Sequence, residues 1–245
     1  TRLHFDSSVL NAYCAYEIAK TIGVNKKTLI PKFERLEEIS SLVPLKARVV
    51  DIGCDHGLLD IYLYQNGIVS KIIASDINEN ALSNAKENIK NNNLEDIIET
   101  RLGSGLEVIN LNDKIDTIII SGMGAYTIVE ILKNNPEILS TISTIIIQSN
   151  TKNYYLRKEI TKMNYLIEEE KIVKDNNKYY TIIKFTKGYQ KYTKKELYFG
   201  PKLLSNSSKI FEEYKNAQYQ KLKNIKKSIP KRKFMECYKI KKELD

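Results

Sequence analysis

Asp51, Asp55 and Asp76 are the residues from which chemistry can start. The first two lie in Arg48-Val-Val-Asp-Ile-Gly-Cys-Asp-His-Gly57, where carboxylates and glycines alternate at Asp51, Gly53, Asp55 and Gly57. Asp76 follows the apolar run Lys71–Ser75, 25 residues after Asp51. A buried strand that breaks into a glycine-punctuated loop presents its end to the ligand crevice of an open α/β sheet. The loop that cradles pyrophosphate reads GxGxxG, but here Asp55 takes the second glycine position and Leu58 the third. A carboxylate beside a pyrophosphate repels it. Beside the sulfonium and amino group of S-adenosylmethionine it attracts, on the order of 4 kcal/mol per pair at ~4 Å and an effective dielectric of about 20, before desolvation. The charge pattern therefore favours the sulfonium cofactor. Asp76 can accept both hydroxyls of a ribose, or cap the helix that begins at Asn78.

Three more loops carry candidate contacts. Gly103-Ser104-Gly105 falls where this kind of sheet meets an adenine, which Ser104 can reach only through its hydroxyl. Ser121-Gly122-Met123-Gly124 offers close backbone approach and a soft apolar wall for a methyl group or base, or else a tight turn with a core methionine. The Asn/Asp-Pro-Pro-aromatic loop common in enzymes that methylate adenine N6 is absent there. Asn150, at the end of Gln148-Ser149-Asn150, can bond a base edge or cap the next helix.

These loops need a repeating strand–helix scaffold to hold them. Strands are expected at Arg48–Ile52, Lys71–Ser75, Ile97–Arg101, Thr117–Ser121 and Thr144–Gln148. Helices are expected at about Leu58–Gln65, Asn78–Asn92, Tyr126–Lys133 and Lys152–Met163, with Pro136 beyond the end of the third. Tyr165–Val173 and Lys178–Phe185 read as a closing pair of strands. Five strands separated by helices imply a parallel sheet covered on both faces. The closing pair adds one antiparallel strand, giving the seven-stranded, mostly parallel Rossmann-like sheet of class I methyltransferases. This domain is placed at residues 31–188, with a helix from Pro31 stopped by Pro44 and carrying Arg35. Residues 1–30 read as an N-terminal extension with a short helix around Val9–Ile18.

Charge divides the chain. The 245 residues carry a formal +9, yet Gln190–Asp245 alone holds 16 Lys/Arg against 6 Asp/Glu. In that stretch Phe211, Tyr214, Gln218, Leu222, Ile225 and Ile229 recur at spacings of 3 and 4, and Phe234, Cys237 or Tyr238, and Leu244 continue after Pro230. Residues 189–245 are thus expected to form a basic helical, coiled-coil-like domain with a polyanion as partner. Apolar runs are far too short to span a bilayer, and no secretory leader is expected. Three distant cysteines without a CxxC pair, and only two histidines, argue against a disulfide framework or a metal site. The expected setting is a reducing cytoplasm, and the expected state a monomer.

The motifs taken in order resemble the bacterial TrmK family, which methylates N1 of the adenine at position 22 of tRNA. They are Arg35-Leu36, Val50–Leu59 (VDIGCDHGLL), Arg101–Leu106 (RLGSGL), Gly122–Ala125 (GMGA), Ile147–Asn150 with Leu156-Arg157 (IQSN…LR), Lys178–Tyr180 (KYY) and Phe199–Leu204 (FGPKLL). Three positions depart from the family pattern. Ser104 replaces an Asp, Ala125 a Gly and Ser149 a Pro. The resemblance implies S-adenosyl-L-methionine as cofactor and tRNA as substrate, with no metal. It implies cofactor contacts at Asp51, Gly53 and Cys54, at Asp76 and Ile77, at Gly103, Ser104 and Gly105, and at Gly122 and Met123.

The reaction is a displacement in line with the sulfonium, so alignment supplies most of the catalysis. N1 has a lone pair, and the methylated base is cationic. Asp55 is the candidate to stabilise that charge or take a proton from the exocyclic amine, with His56 orienting it or contacting RNA. The other reading of Asp55 and His56 is a buried structural pair. N1 lies on the Watson–Crick edge, so the base must be unpaired or flipped. Tyr126 and Tyr154 are possible stacking platforms, and Arg35 and Asn150 possible substrate contacts. Two alternatives stand beside this one, a methyltransferase acting on another substrate and a non-catalytic RNA-binding module on the same fold.

Overall fold

The computed structural model describes residues 34–175 and 178–228. The expected elements in residues 1–30, the centre of the turn at 176–177, and the second C-terminal helix after Pro230 lie outside the described residues, as do Cys14 and Cys237.

One seven-stranded sheet organises the rest. Its strands are β1 (Ala47–Ile52), β2 (Val69–Asp76), β3 (Ile98–Leu102), β4 (Thr117–Met123), β5 (Thr144–Ser149), β6 (Tyr165–Asp175) and β7 (Lys178–Lys187), in the order β3-β2-β1-β4-β5-β7-β6. The first five run parallel, and β7 lies antiparallel between β5 and β6. Strand order reverses between β1 and β4, and a parallel sheet opens its ligand crevice at the carboxyl ends of the strands there. The isoleucines of β4 and β5 form a continuous apolar run because both faces are covered.

Alternation sends successive residues to opposite layers. Ile118, Ile120, Ile145 and Ile147 face α4 (Ala125–Lys133), α5 (Pro136–Thr141) and α6 (Asn153–Thr161). Val49, Ile72, Ile119 and Ile146 face α1 (residues 34–40), α2 (Leu58–Gln65) and α3 (Glu79–Asn91). Helix α5 is an addition to the expected elements. Pro136 opens it at the first helical position, where its missing N–H costs nothing, rather than merely following the end of α4. Strand β4 also runs on through Gly122 to Met123, with a register shift against β5 between Ser121 and Met123.

The basic segment enters through α7 (Lys194–Phe199), α8 (Pro201–Ser205) and the 20-residue α9 (Lys209–Ser228). Phe211, at the start of its expected apolar seam, is fully buried with Phe199 of α7 and Leu203 of α8, and Ile172 of β6 and Tyr214 pack on the same cluster. In α9 the seam thus begins by docking on α7, α8 and the edge of the closing hairpin.

Candidate active site

Backbone hydrogen bonds sew the loop after β1 to the end of β2. The Gly53 and Cys54 amides both donate to the Ser75 carbonyl, at 2.8 and 2.9 Å. The Asp76 carboxylate accepts from the Asp55 amide at 3.3 Å and the Asn78 amide at 2.8 Å, and its carbonyl accepts from the Gly103 amide at 3.1 Å. Asn78, not Asp76, caps α3, its side chain accepting from the Asn80 and Ala81 amides. Asp76 is therefore the point where the first three loops of the sheet edge meet, and each of its carboxylate oxygens keeps a lone pair for a ligand. Gly53 has φ +79°, and a Cβ built there would come within 2.4 Å of the Met123 methyl carbon. The positive φ is what calls for glycine here, and its missing Cβ lets the Met123 methyl group lie against the turn.

The electrostatics of this corner are one-sided. Asp51 is 4% exposed, and burial first, then Asp76, pushes its carboxyl up to about 7. Asp60, in the first turn of α2, is fully buried, and neither carboxylate oxygen has a hydrogen-bond partner among the described residues. Burial, then Asp51, raises it well above the usual carboxylate range. Burial, with Asp60, Asp51 and Asp76 behind it, also pushes the Cys54 thiol up. Cys54 packs in the core, and its amide and carbonyl are both spent on the turn. Among the described residues no cation pairs with Asp51, Asp60 or Asp76. At the rim Ile77 is 73% and Leu102 55% exposed, and the exposed Ser104 hydroxyl makes no hydrogen bond among the described residues. Such a corner fits a ligand with a cationic centre, a ribose and a flat apolar ring, which are the parts of S-adenosylmethionine.

Asp55 and His56 are both at the surface. Their side chains are 72% and 43% exposed, with 3.7 Å between Oδ1 and Nε2. They are not a buried pair. Asp55 stands in the left-handed region at φ 51°, and the His56 carbonyl is held by Asn88 Nδ2 at 2.9 Å. This fixes the main chain of the DH pair and leaves its side chains to solvent or substrate.

Across the crevice, Asn150 Nδ2 donates to the Gly122 carbonyl at 2.5 Å, and its amide to the Met123 carbonyl at 3.0 Å. Gln148 Nε2 donates to Asn150 Oδ1 at 3.1 Å. Asn150 thus pins the end of β5 to the end of β4, and Lys152 occupies the cap position of α6. Tyr126 is 55% exposed. Lys152 Nζ donates to its hydroxyl at 2.7 Å and lies 4.4 Å from its ring centre. The ring that packs edge-on against Tyr126 at 4.7 Å is Tyr155. Tyr154 is half-buried and joins no ring pair among the described residues. Arg35 sits further along the same sheet edge, with its guanidinium 4.8 Å from the Tyr180 ring centre. Asp60, Lys152 and Tyr155 were not singled out by motif reasoning. A carboxylate at an inward helical position was the one available signal for Asp60.

The model of the family described as tRNA (adenine(22)-N(1))-methyltransferase, TrmK, matches residues 49–244, taking in the crevice and the helical segment together. The chain belongs to the TrmK family. Its Bacillus subtilis relative, a tRNA (adenine(22)-N(1))-methyltransferase, is 31% identical over 150 residues, covering 61% of this chain and 63% of the relative's length. The crystal structure of the B. subtilis m1A22 tRNA methyltransferase TrmK superposes with a TM-score of 0.79 at 26% identity, over 86% of this chain and 98% of that one. The structure of M. capricolum TrmK with S-adenosyl-homocysteine, described as the natural cofactor product, gives a TM-score of 0.76 at 32% identity, over 86% and 94% of the two chains. The seven-stranded, mostly parallel sheet expected for a class I methyltransferase is present, with its one antiparallel strand. No helix among the described residues is long and apolar enough to cross a membrane, and no group of three or more His, Cys, Asp or Glu among them could hold a metal.

Proposed function

We propose that this TrmK-family protein transfers the methyl group of S-adenosylmethionine to N1 of an adenine in tRNA, at position 22 as the family resemblance implies. It is proposed to act as a monomer in the cytoplasm. The observation that carries the reading is the uncompensated carboxylate corner at the β1/β4 reversal, inside a chain whose family match spans residues 49–244. When bound, the cofactor supplies an electrophilic methyl group on a sulfonium.

Asp51 would face the cationic end of the cofactor, Asp76 the ribose hydroxyls, and the Ser104 hydroxyl with Ile77 the adenine. Gly53 and Gly122 bring bare backbone to the ligand, and Met123 walls the space between them. Asp55 is placed as the carboxylate that meets positive charge as it develops on the target base, with His56 beside it. Asn150 and the Tyr126–Lys152 pair would receive the flipped base and its backbone, and Arg35 a neighbouring phosphate. Residues 31–188 would form the methylating domain, and 189–245 the basic domain that grips tRNA.

The test is transfer of tritiated methyl groups to purified tRNAs, followed by nucleoside analysis. Label in 1-methyladenine is expected. Label in N6-methyladenine or a methylated guanine, with 1-methyladenine absent, would overturn the assignment.

A further inference from the structure

Two of the motifs behind the family resemblance contribute nothing to the crevice. Leu156-Arg157 lies on α6, and Gly200-Pro201 forms the bend from α7 into the first residue of α8, yet the fold brings them to one buried joint. Arg157 is 1% exposed. Its Nε donates to Glu170 Oε1 of β6 at 2.7 Å, and its Nη1 to the carbonyls of Leu197 and Tyr198 at 3.0 and 3.2 Å. The second carboxylate oxygen of Glu170 accepts from the Lys202 amide at 3.0 Å. One side chain therefore holds the end of α7 and the other the start of α8. Gly200 makes the bend at φ +101°, and a Cβ there would come within 2.5 Å of Glu170 Oε2 and 2.9 Å of Arg157 Nη2.

Stability alone does not call for this pair. A well-packed apolar trio commonly holds a protein together as well as a buried ion pair, whereas directional hydrogen bonds fix a single orientation. Orientation matters here because the joint is the root of a lever. The basic helix α9 follows directly, docked by Phe211 and Tyr214 and by a Lys174–Glu213 ion pair of 2.6 Å at the hairpin. A 20-residue helix is about 30 Å long, so a 10° error at its root moves its tip by about 5 Å. A misplacement of about 1 Å at the reacting atoms can cost about 100-fold in rate.

We infer that Arg157 and Glu170 are positioning residues that set the angle between the basic helices and the methyl-transfer crevice, and so decide whether a bound tRNA presents its target adenine to the crevice. The inference rests on the reading of residues 189–245 as the part that grips tRNA. Arg157 and Glu170 touch neither cofactor nor substrate and act only through α7, α8 and α9.

The test uses the full chain and whole tRNA. The double variant Arg157→Met/Glu170→Leu removes both charges together, so neither is left buried alone. Three quantities are read, namely cofactor affinity with its stoichiometry, tRNA affinity, and kcat. Cofactor and tRNA affinities within about twofold of wild type, with kcat down about 100-fold, are expected. Arg157→Lys keeps a charge beside Glu170 but gives up donors to α7, and should fall between the two. It also decides the matter if the double variant does not fold. Unchanged kcat overturns the inference, as does a kcat that falls only in step with cofactor stoichiometry, since that marks a merely structural pair. Wild-type protein that binds tRNA but methylates none of it would instead overturn the proposed reaction.

Discussion

Two regions with buried charge among the described residues treat it in opposite ways. At the Arg157–Glu170 joint both carboxylate oxygens of Glu170 and the Nε and Nη1 of Arg157 have partners within the protein. At the Asp51–Asp60 corner two buried carboxylates share a space with no cation. Burying an ion without a partner costs several kcal/mol unless it is neutralised, so the first arrangement completes itself and the second awaits something. The contrast separates a joint from a binding site without reference to sequence motifs. It also explains why burial, then Asp76, pushes the Asp51 carboxyl up to about 7 while Asp113, clamped by Arg101 at 2.7 and 2.8 Å, is held well below the usual carboxylate range.

Breaking the joint one-sidedly should give the largest effect. Glu170→Leu alone leaves Arg157 buried without its carboxylate, and a loss of about 3–5 kcal/mol is expected. This would appear as a fall of roughly 10 °C in thermal midpoint. A change near zero would mean that the joint is wet and loose. Next in size is Asp51→Asn, which removes the carboxylate from the cofactor side. It should weaken S-adenosylmethionine about 100-fold, or ~2.7 kcal/mol, while leaving the thermal midpoint of the cofactor-free protein unchanged or raised. Titration calorimetry reads the first and scanning calorimetry the second.

Asp60→Leu should act in the opposite sense to the joint variant, stabilising the cofactor-free protein by about 1–2 kcal/mol at pH 8. Its folded-state pKa lies above the unfolded one. The wild-type stability it contributes is therefore full below the unfolded carboxylate pKa and lost as pH rises, so the gain from Asp60→Leu must shrink on going to pH 5. A gain that does not depend on pH would mean that Asp60 is not the uncompensated acid described. The smallest effect is expected at Asp113. Asp113→Asn should cost about 1–2 kcal/mol at pH 7, a cost that starts to shrink as pH falls below the unfolded carboxylate pKa and is lost only as pH falls through the depressed folded-state pKa.

Local signals dominated what the chain alone disclosed. Alternating apolar runs, glycines and Asn78 set strands, turns and a cap within a few residues of one another, so the sheet, its closing hairpin and the loop edges were legible. Asp51, Gly53 and Asp76 could be singled out because their neighbours in sequence are also their neighbours at the strand ends. Arg157 and Glu170 could not be paired, because they join different elements and meet Gly200 only in three dimensions. Pro136 was read as the aftermath of one helix although it starts another, since proline suits both positions. The apolar seam from Phe211 carried a helical period but no information about which surface would cover it.

The central claim is that the Asp51 corner is built for a cationic cofactor, and the pH dependence of cofactor binding tests it most directly. Between pH 5.5 and 7 the free carboxyl is mostly protonated, and a cation bound against it requires it ionised. The affinity for S-adenosylmethionine should therefore climb with pH, by up to about tenfold per unit, and level off above about pH 7, with a proton released on binding. Asp51→Asn should flatten the curve. Affinity that is level from pH 5.5 to 7 in the wild-type protein, with no proton released, would contradict the account.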